Sequence, residues 1–297
     1  MKTLLALIIT LLSSTCFSST FPVARSITPF SGSRFYVPND SNKHTSIVML
    51  HGSEGGSERY ADMEANVLAS QGYAVLVLCY FDCNRVLSLP KQTLKNIEAT
   101  IVLDAVSWLR NQALSNRKVV VYGYSRGGEL SMIVGSLDMN QNNRPDGIIA
   151  HSPSDVFVGP YNGGWKEHAC WLCIAGNNKC SANSPKTDYE WNSVCGFDNN
   201  PKIIDFTKSS WLVSGINVLT GKRIEIEKYD GPILITVGEK DEIWPADQTR
   251  RIDKTLKDAG RNPEVHYFAK EGHGFKWDAE LIRKEMVLNF LQHVTSQ

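Results

Sequence analysis

The sequence predicts an α/β protein: a mostly parallel central sheet with helices on both faces. Three observations carry that expectation. Short, continuously apolar runs recur along the chain, as strands buried on both faces require. Stretches with helical spacing separate them. The chain has 297 residues, 42 % of them hydrophobic, which suits one large domain with its own core.

The elements follow in order. Lys2 precedes the apolar run Leu4 to Leu12, and small polar residues follow from Ser13 to Ser19. This is the layout of a secretory signal peptide over residues 1–19, with cleavage between Thr15 and Thr20. Residues 20–297 then form a single domain in a secreted or periplasmic protein. The run is short for a membrane span, and no later segment is apolar enough to cross a bilayer. An uncleaved anchor is the alternative. A lipoprotein through Cys16 is another, although Ser13-Ser14-Thr15 resembles a lipobox poorly.

The segment before Thr45 is mixed and is expected to supply antiparallel edge strands. Asn39-Asp40-Ser41 is a glycosylation sequon. Ser46 to Leu50 is the first buried strand and ends at His51-Gly52. Helical spacing from Glu58 to Ser70 stops at Gln71-Gly72, and Tyr73 to Leu78 is the next strand. Thr93 to Leu109 places Ile97, Ile101, Ala105 and Trp108 at helical intervals. Lys118 to Tyr122 reads as a strand, Glu129 to Val134 as a helix and Gly147 to Ala150 as a short strand. Toward the C-terminus come a strand from Pro232 to Val237, a helix from Ala246 to Ala259, a strand from Glu264 to Phe268 and a helix from Asp278 to His293.

One stretch breaks this rhythm. Residues 155–230, after the sixth strand, are rich in Gly, Asn, Trp and Cys and include Trp165, Trp171, Trp191 and Trp211. They read as a disulfide-rich, lid-like insertion that shapes a pocket. A decorative insertion stapled by its own bonds is the alternative. Apart from Cys16, the cysteines are Cys79, Cys83, Cys170, Cys173, Cys180 and Cys195, an even number that favours disulfides in an exported chain. Cys79 and Cys83 flank a strand end and are expected to pair. The other four are expected to pair among themselves, with a four-thiolate zinc site as the rival reading. The 31 basic and 31 acidic residues balance, so no long-range field favours nucleic acid.

The candidate chemistry sits at the ends of the strands. Val119-Val120-Val121-Tyr122 runs into Gly123-Tyr124-Ser125-Arg126-Gly127. A Gly-x-Ser-x-Gly turn between strand and helix exposes the serine hydroxyl, and its glycines avoid clashes with neighbouring elements. A serine needs a base to become a nucleophile. Among seven histidines, His273 is the best placed, in a Gly-flanked loop between the last strand and the last helix. The base needs an orienting carboxylate. Asp241 follows the strand Pro232 to Val237, with Glu239, Glu242 and Asp155 as rivals. An oxyanion needs preorganised donors. The backbone N–H of Arg126 is one candidate. Ser53 or Glu54, in the loop His51-Gly52-Ser53-Glu54-Gly55-Gly56, supplies the other, and His51 is read as bracing that loop.

These residues carry a resemblance. The chain resembles α/β-hydrolases, especially dienelactone hydrolases and the C-terminal domain of bile-acid acyltransferases and acyl-CoA thioesterases. The resemblance rests on His51 to Gly56, Gln71 to Val75, Gly123 to Glu129, Gly231 to Ile235, Gly238 to Pro245 and Gly272-His273. It implies the α/β-hydrolase fold, Ser125 as nucleophile, Asp241 as acid and His273 as base. It also implies a small-molecule ester or thioester substrate, with no metal or organic cofactor required. The chain departs from the family in its Cys- and Trp-rich middle and in using Ser where some members use Cys, and it is expected to lack the N-terminal thioesterase domain of the animal enzymes. The expected activity is hydrolysis of carboxylic esters. Thioesterase or serine peptidase activity on the same triad is the alternative within enzymes, and a catalytically silent binding or effector protein is the alternative from another class.

Overall fold

A computed structural model of the chain describes residues 23–83, 94–160 and 208–297. Its centre is an eight-stranded sheet. In chain order the strands are β1 (Val23–Ser26), β2 (Arg34–Pro38), β3 (His44–Leu50), β4 (Ala74–Leu78), β6 (Ser115–Tyr124), β7 (Gly147–His151), β10 (Ile233–Gly238) and β11 (Glu264–Phe268). They lie in the spatial order β1-β2-β4-β3-β6-β7-β10-β11. β1 pairs antiparallel with β2, and β2 with β4, as expected of the segment before Thr45. Every other neighbour in the sheet is parallel.

The helices are α1 (Tyr60–Ser70), α2 (Ile101–Arg110), α3 (Arg126–Ser136), α4 (Ala246–Asp258) and α5 (Trp277–Ser296). β3 shows how they cover the sheet. Alternate side chains of a strand point to opposite faces, so Val48 and Leu50 join one core and Ile47 and Met49 the other. α2, α3 and α4 pack on the first face through residues such as Val106, Ile133 and Leu256. α1 and α5 cover the second through Ala65, Leu68, Phe290 and Leu291.

Several elements differ from the sequence reading. Ile97 lies not in a helix but in the two-residue strand β5 (Ile97–Glu98), which pairs with Trp211 and Leu212. Asn96 at φ 55° turns the chain, and the helix forms only from Ile101. β6 and α3 both reach further toward Ser125 than expected. Gly123 and Tyr124 keep pairing with Leu50 and His151, while two consecutive glycines of low helix propensity hide the first turn of α3. The stretch read as lacking rhythm contains a hairpin, β8 (Lys208–Val213) and β9 (Ile216–Leu219), which joins β5 in a small second sheet. Its turn places Ser214 and Gly215 at φ 52° and 77°, the left-handed pair that suits a two-residue hairpin loop. Residues 161–207 of the expected insertion lie outside the described residues, as do Cys170, Cys173, Cys180 and Cys195 with both their disulfide and zinc readings. The expected signal peptide lies outside them too. Among the described residues no helix is long and apolar enough to cross a membrane.

Cys79 and Cys83 are joined, with their Cα atoms 5.6 Å apart. A Cβ on Gly56 would meet the Cys79 sulfur, so the bridge is packed against the loop that follows β3. The Gly56 N–H donates to the Phe81 carbonyl, and the Ser57 N–H to that of Asp82. Closing so short a loop is worth about 2 kcal/mol by its effect on the unfolded chain. Cys79→Ala with Cys83→Ala is therefore expected to lower the unfolding free energy by about that amount. Urea denaturation checks this.

Candidate active site

The expected residues converge at the carboxyl ends of the parallel strands, where ligands bind in such sheets. Ser125 stands between β6 and α3 with φ 53° and ψ −122°, a strained backbone for a residue with a side chain. Its N–H donates to the His151 carbonyl at 2.9 Å. The two glycines of the turn are required sterically. A Cβ on Gly123 would lie 2.0 Å from the Gly127 carbonyl oxygen, and one on Gly127 would lie 2.3 Å from that of Leu50. Such contacts cannot be relieved by side-chain motion, because the obstructing atoms are backbone. Gly127→Ala is expected to cost about 3 kcal/mol or to prevent folding, measurable as soluble yield and melting temperature.

His273 lies in the loop between β11 and α5. Its Nε2 is 2.9 Å from Ser125 Oγ, and its Nδ1 is 2.9 Å and 3.0 Å from the two carboxylate oxygens of Asp241. Asp241 is 3 % exposed and is held from behind. Its Oδ1 accepts the Ile243 N–H at 2.9 Å and the Trp244 N–H at 2.8 Å. The rival carboxylates go elsewhere. Asp155 pairs with Arg251, and Glu239 with Arg250. Glu242 accepts the backbone N–H of His273 at 3.2 Å, so it braces the loop and leaves the ring to Asp241.

The loop after β3 packs against the serine. A Cβ on Gly52 would lie 3.4 Å from Ser125 Cβ. Ser53 and Glu54 are half-buried beside it. Glu54 does more than its backbone predicts. Its Oε1 accepts the Gly52 N–H at 2.9 Å and also the Tyr124 hydroxyl. Burial and the Glu54 charge push the Tyr124 phenol well above its ordinary range, so it remains a donor. His51 braces the same loop, as expected. Its Nδ1 lies 2.9 Å from the Gly52 carbonyl oxygen, and its ring stacks on Tyr80 at 4.1 Å. Arg126 opens α3 directly after Ser125, which puts its N–H at a helix N-terminus, where the dipole favours negative charge.

His151 supports the site from below. It is buried at the end of β7, with Nδ1 2.9 Å from Thr236 Oγ1 and its ring edge-on to Phe275 at 4.6 Å. Burial, then the Arg283 and His273 charges, hold it well below the ordinary histidine value. The folded state therefore resists protonating His151 while the unfolded chain does not. Below about pH 6.5 the unfolded state binds more protons, and stability falls as pH drops, by up to about 1.4 kcal/mol per pH unit. Above that pH the contribution is constant. His151→Gln is expected to flatten this slope between pH 7 and 5 in urea denaturation.

Sequence reasoning passed over His151, Tyr124, Trp244 and Glu129. Tyr124, Glu129 and Trp244 lie within the motif segments, while His151 had no motif to mark it. Among the described residues no cluster of three His, Cys, Asp or Glu side chains forms a metal site.

Comparison with known proteins bears on the fold and the family. Residues 215–286 match the dienelactone hydrolase family. Human acyl-coenzyme A thioesterase 6 is 30 % identical over 254 residues, covering 80 % of this chain and 50 % of that protein. The chain thus spans about half the length of the curated relatives it matches. Among solved structures, the α/β hydrolase MGS-M1 from a Medee basin deep-sea metagenome superposes with a TM-score of 0.56 at 16 % identity, over 94 % of this chain and 100 % of that one. Esterase 2 of Thermogutta terrifontis, phosphoramylated by tabun, gives 0.55 at 15 % identity over 93 % and 96 %. With its mostly parallel sheet, flanking helices and serine turn, the chain has the α/β-hydrolase fold, and residues 215–286 are similar to the dienelactone hydrolase family.

Proposed function

We propose that this protein hydrolyses carboxylic esters of small molecules through Ser125, His273 and Asp241. The observation that carries this reading is the unbroken hydrogen-bond chain from Ser125 Oγ to His273 to buried Asp241. In the first half-reaction Ser125 Oγ attacks the ester carbonyl while His273 Nε2 takes its proton. Asp241 holds the imidazole with Nδ1 protonated and stabilises the imidazolium that forms. The oxyanion is held by the backbone N–H of Arg126 and by that of Ser53 or Glu54. The tetrahedral intermediate collapses, His273 returns the proton to the leaving alcohol, and an acyl-serine remains. Water, deprotonated by the same imidazole, then releases the acid.

Thioesters are the second reading, favoured by the similarity to acyl-CoA thioesterases. The chemistry is unchanged, because a thiolate leaves where an alkoxide would. Export as a secreted or periplasmic protein is part of the proposal, supported by the leader-like residues 1–19. N-terminal sequencing of protein recovered from outside the cytoplasm tests it, with a start between residues 16 and 20 expected.

A panel of p-nitrophenyl esters, acyl thioesters and peptides, assayed with wild type and Ser125→Ala, tests the activity. Ser125-dependent turnover of short-chain esters is expected. Turnover of peptides alone would replace the ester reading with a peptidase one. No turnover of any member by folded protein would favour a binding role.

A further inference from the structure

The first turn of α3 carries a buried ion pair that the proposed reaction does not use. Arg126 and Glu129 are 1 % and 0 % exposed. Arg126 Nη1 donates to Glu129 Oε2 at 2.8 Å, and Nη2 donates to the Gly159 carbonyl. The other Glu129 oxygen, Oε1, accepts the Val158 N–H at 2.7 Å and the Trp211 indole N–H at 2.6 Å. Ser210 Oγ also donates to the Gly159 carbonyl, at 2.8 Å. One carboxylate therefore joins three pieces of chain: the helix behind Ser125, the segment after β7 and the strand β8.

The guanidinium also reaches the acid loop. It lies 5.8 Å from the ring of Trp244, and the Trp244 backbone N–H holds Asp241. Arg126 thus touches the element that carries the triad carboxylate and directly follows Ser125 in the chain. Gly127 and Gly128 follow it, so the first turn of α3 has no side chains other than Arg126 and Glu129 to anchor it. Burying two charges is costly, and packing alone is served as well by apolar groups of the same volume. An oxyanion donor, by contrast, works only within a few tenths of an ångström of its place.

We propose that Glu129 is a positioning residue: by clamping Arg126 it sets the place of the Arg126 backbone N–H and ties it to the Asp241 loop and to β8. The inference rests on the triad reading. It makes the segment around residues 156–159 and 208–213 part of the catalytic scaffold, which a detachable cover would not be.

The test compares wild type, Glu129→Gln, and the double variant Glu129→Gln with Arg126→Met, which removes both buried charges at similar volume. The readouts are kcat and KM on p-nitrophenyl butyrate, inhibition by an alkyl trifluoromethyl ketone, and the fraction of sites titrated by a fluorophosphonate. The ketone forms a tetrahedral adduct and so reports on oxyanion binding. The double variant is expected to keep a cooperative melt, to lose about tenfold or more in kcat with KM within about twofold, and to lose affinity for the ketone by the same factor. Wild-type kcat in the double variant overturns the proposal, as does a loss of rate matched by an equal loss of titrated sites. If the double variant does not fold, Glu129→Gln decides on the same criteria, because its amide oxygen still accepts from Val158 and Trp211. If wild type itself shows no Ser125-dependent labelling, the triad reading fails first and takes this proposal with it.

Discussion

Ser125→Ala is expected to lower kcat for ester hydrolysis by about a million-fold, to the level left by binding and oxyanion stabilisation alone. The expectation follows from the position of Ser125 as the only atom source for the acyl-enzyme in the proposed scheme. His273 Nε2 lies 2.9 Å from its oxygen, and no other hydroxyl meets that nitrogen among the described residues. The variant is also expected to fold. The Ser125 backbone bonds to His151 and Glu129 do not involve the side chain, and alanine at φ 53° adds no more strain than serine. Steady-state rates on p-nitrophenyl butyrate, with circular dichroism to confirm folding, check the result.

Asp241→Asn is expected to cost about ten-thousand-fold in kcat while leaving the fold intact. Asp241 Oδ1 accepts the amides of Ile243 and Trp244, and those donors will keep an oxygen facing them. An asparagine must then turn its NH₂ toward His273 Nδ1. That imposes the tautomer with the proton on Nε2, where it cannot accept from Ser125. The loss is therefore one of protonation pattern, with packing unchanged. Glu239→Gln, which removes a carboxylate paired with Arg250 at the surface, is expected to stay near wild type. Loss of activity in Glu239→Gln with retention in Asp241→Asn would reverse the assignment of the acid.

Much of the fold was legible because its signals are local. Buried parallel strands are continuous apolar runs, and Ile47 to Leu50, Ala74 to Leu78 and Ile233 to Val237 announce themselves. The candidate site was legible because Ser125, Asp241 and His273 each follow a strand in the chain order Ser, Asp, His. What escaped depends on partners distant in sequence. Ile97 has helical spacing with Ile101 yet pairs with Trp211, which lies more than a hundred residues away. The hairpin β8–β9 was obscured by the composition around it, although Ser214-Gly215 was a usable turn signal. The sequence points to Glu54 for its backbone, and its carboxylate braces Gly52 and Tyr124. Arg126 was likewise read for its N–H, while its side chain is locked to Glu129. Polar contacts of this kind carry no periodicity, so no pattern in the sequence discloses them.

The measurement that tests the central claim most directly is intact-protein and peptide mass spectrometry after treatment with a fluorophosphonate. One adduct per chain is expected, mapped to Ser125, absent in Ser125→Ala and formed far more slowly in His273→Ala. Undiminished labelling of Ser125→Ala, or an adduct mapped to another residue in wild type, would contradict the account.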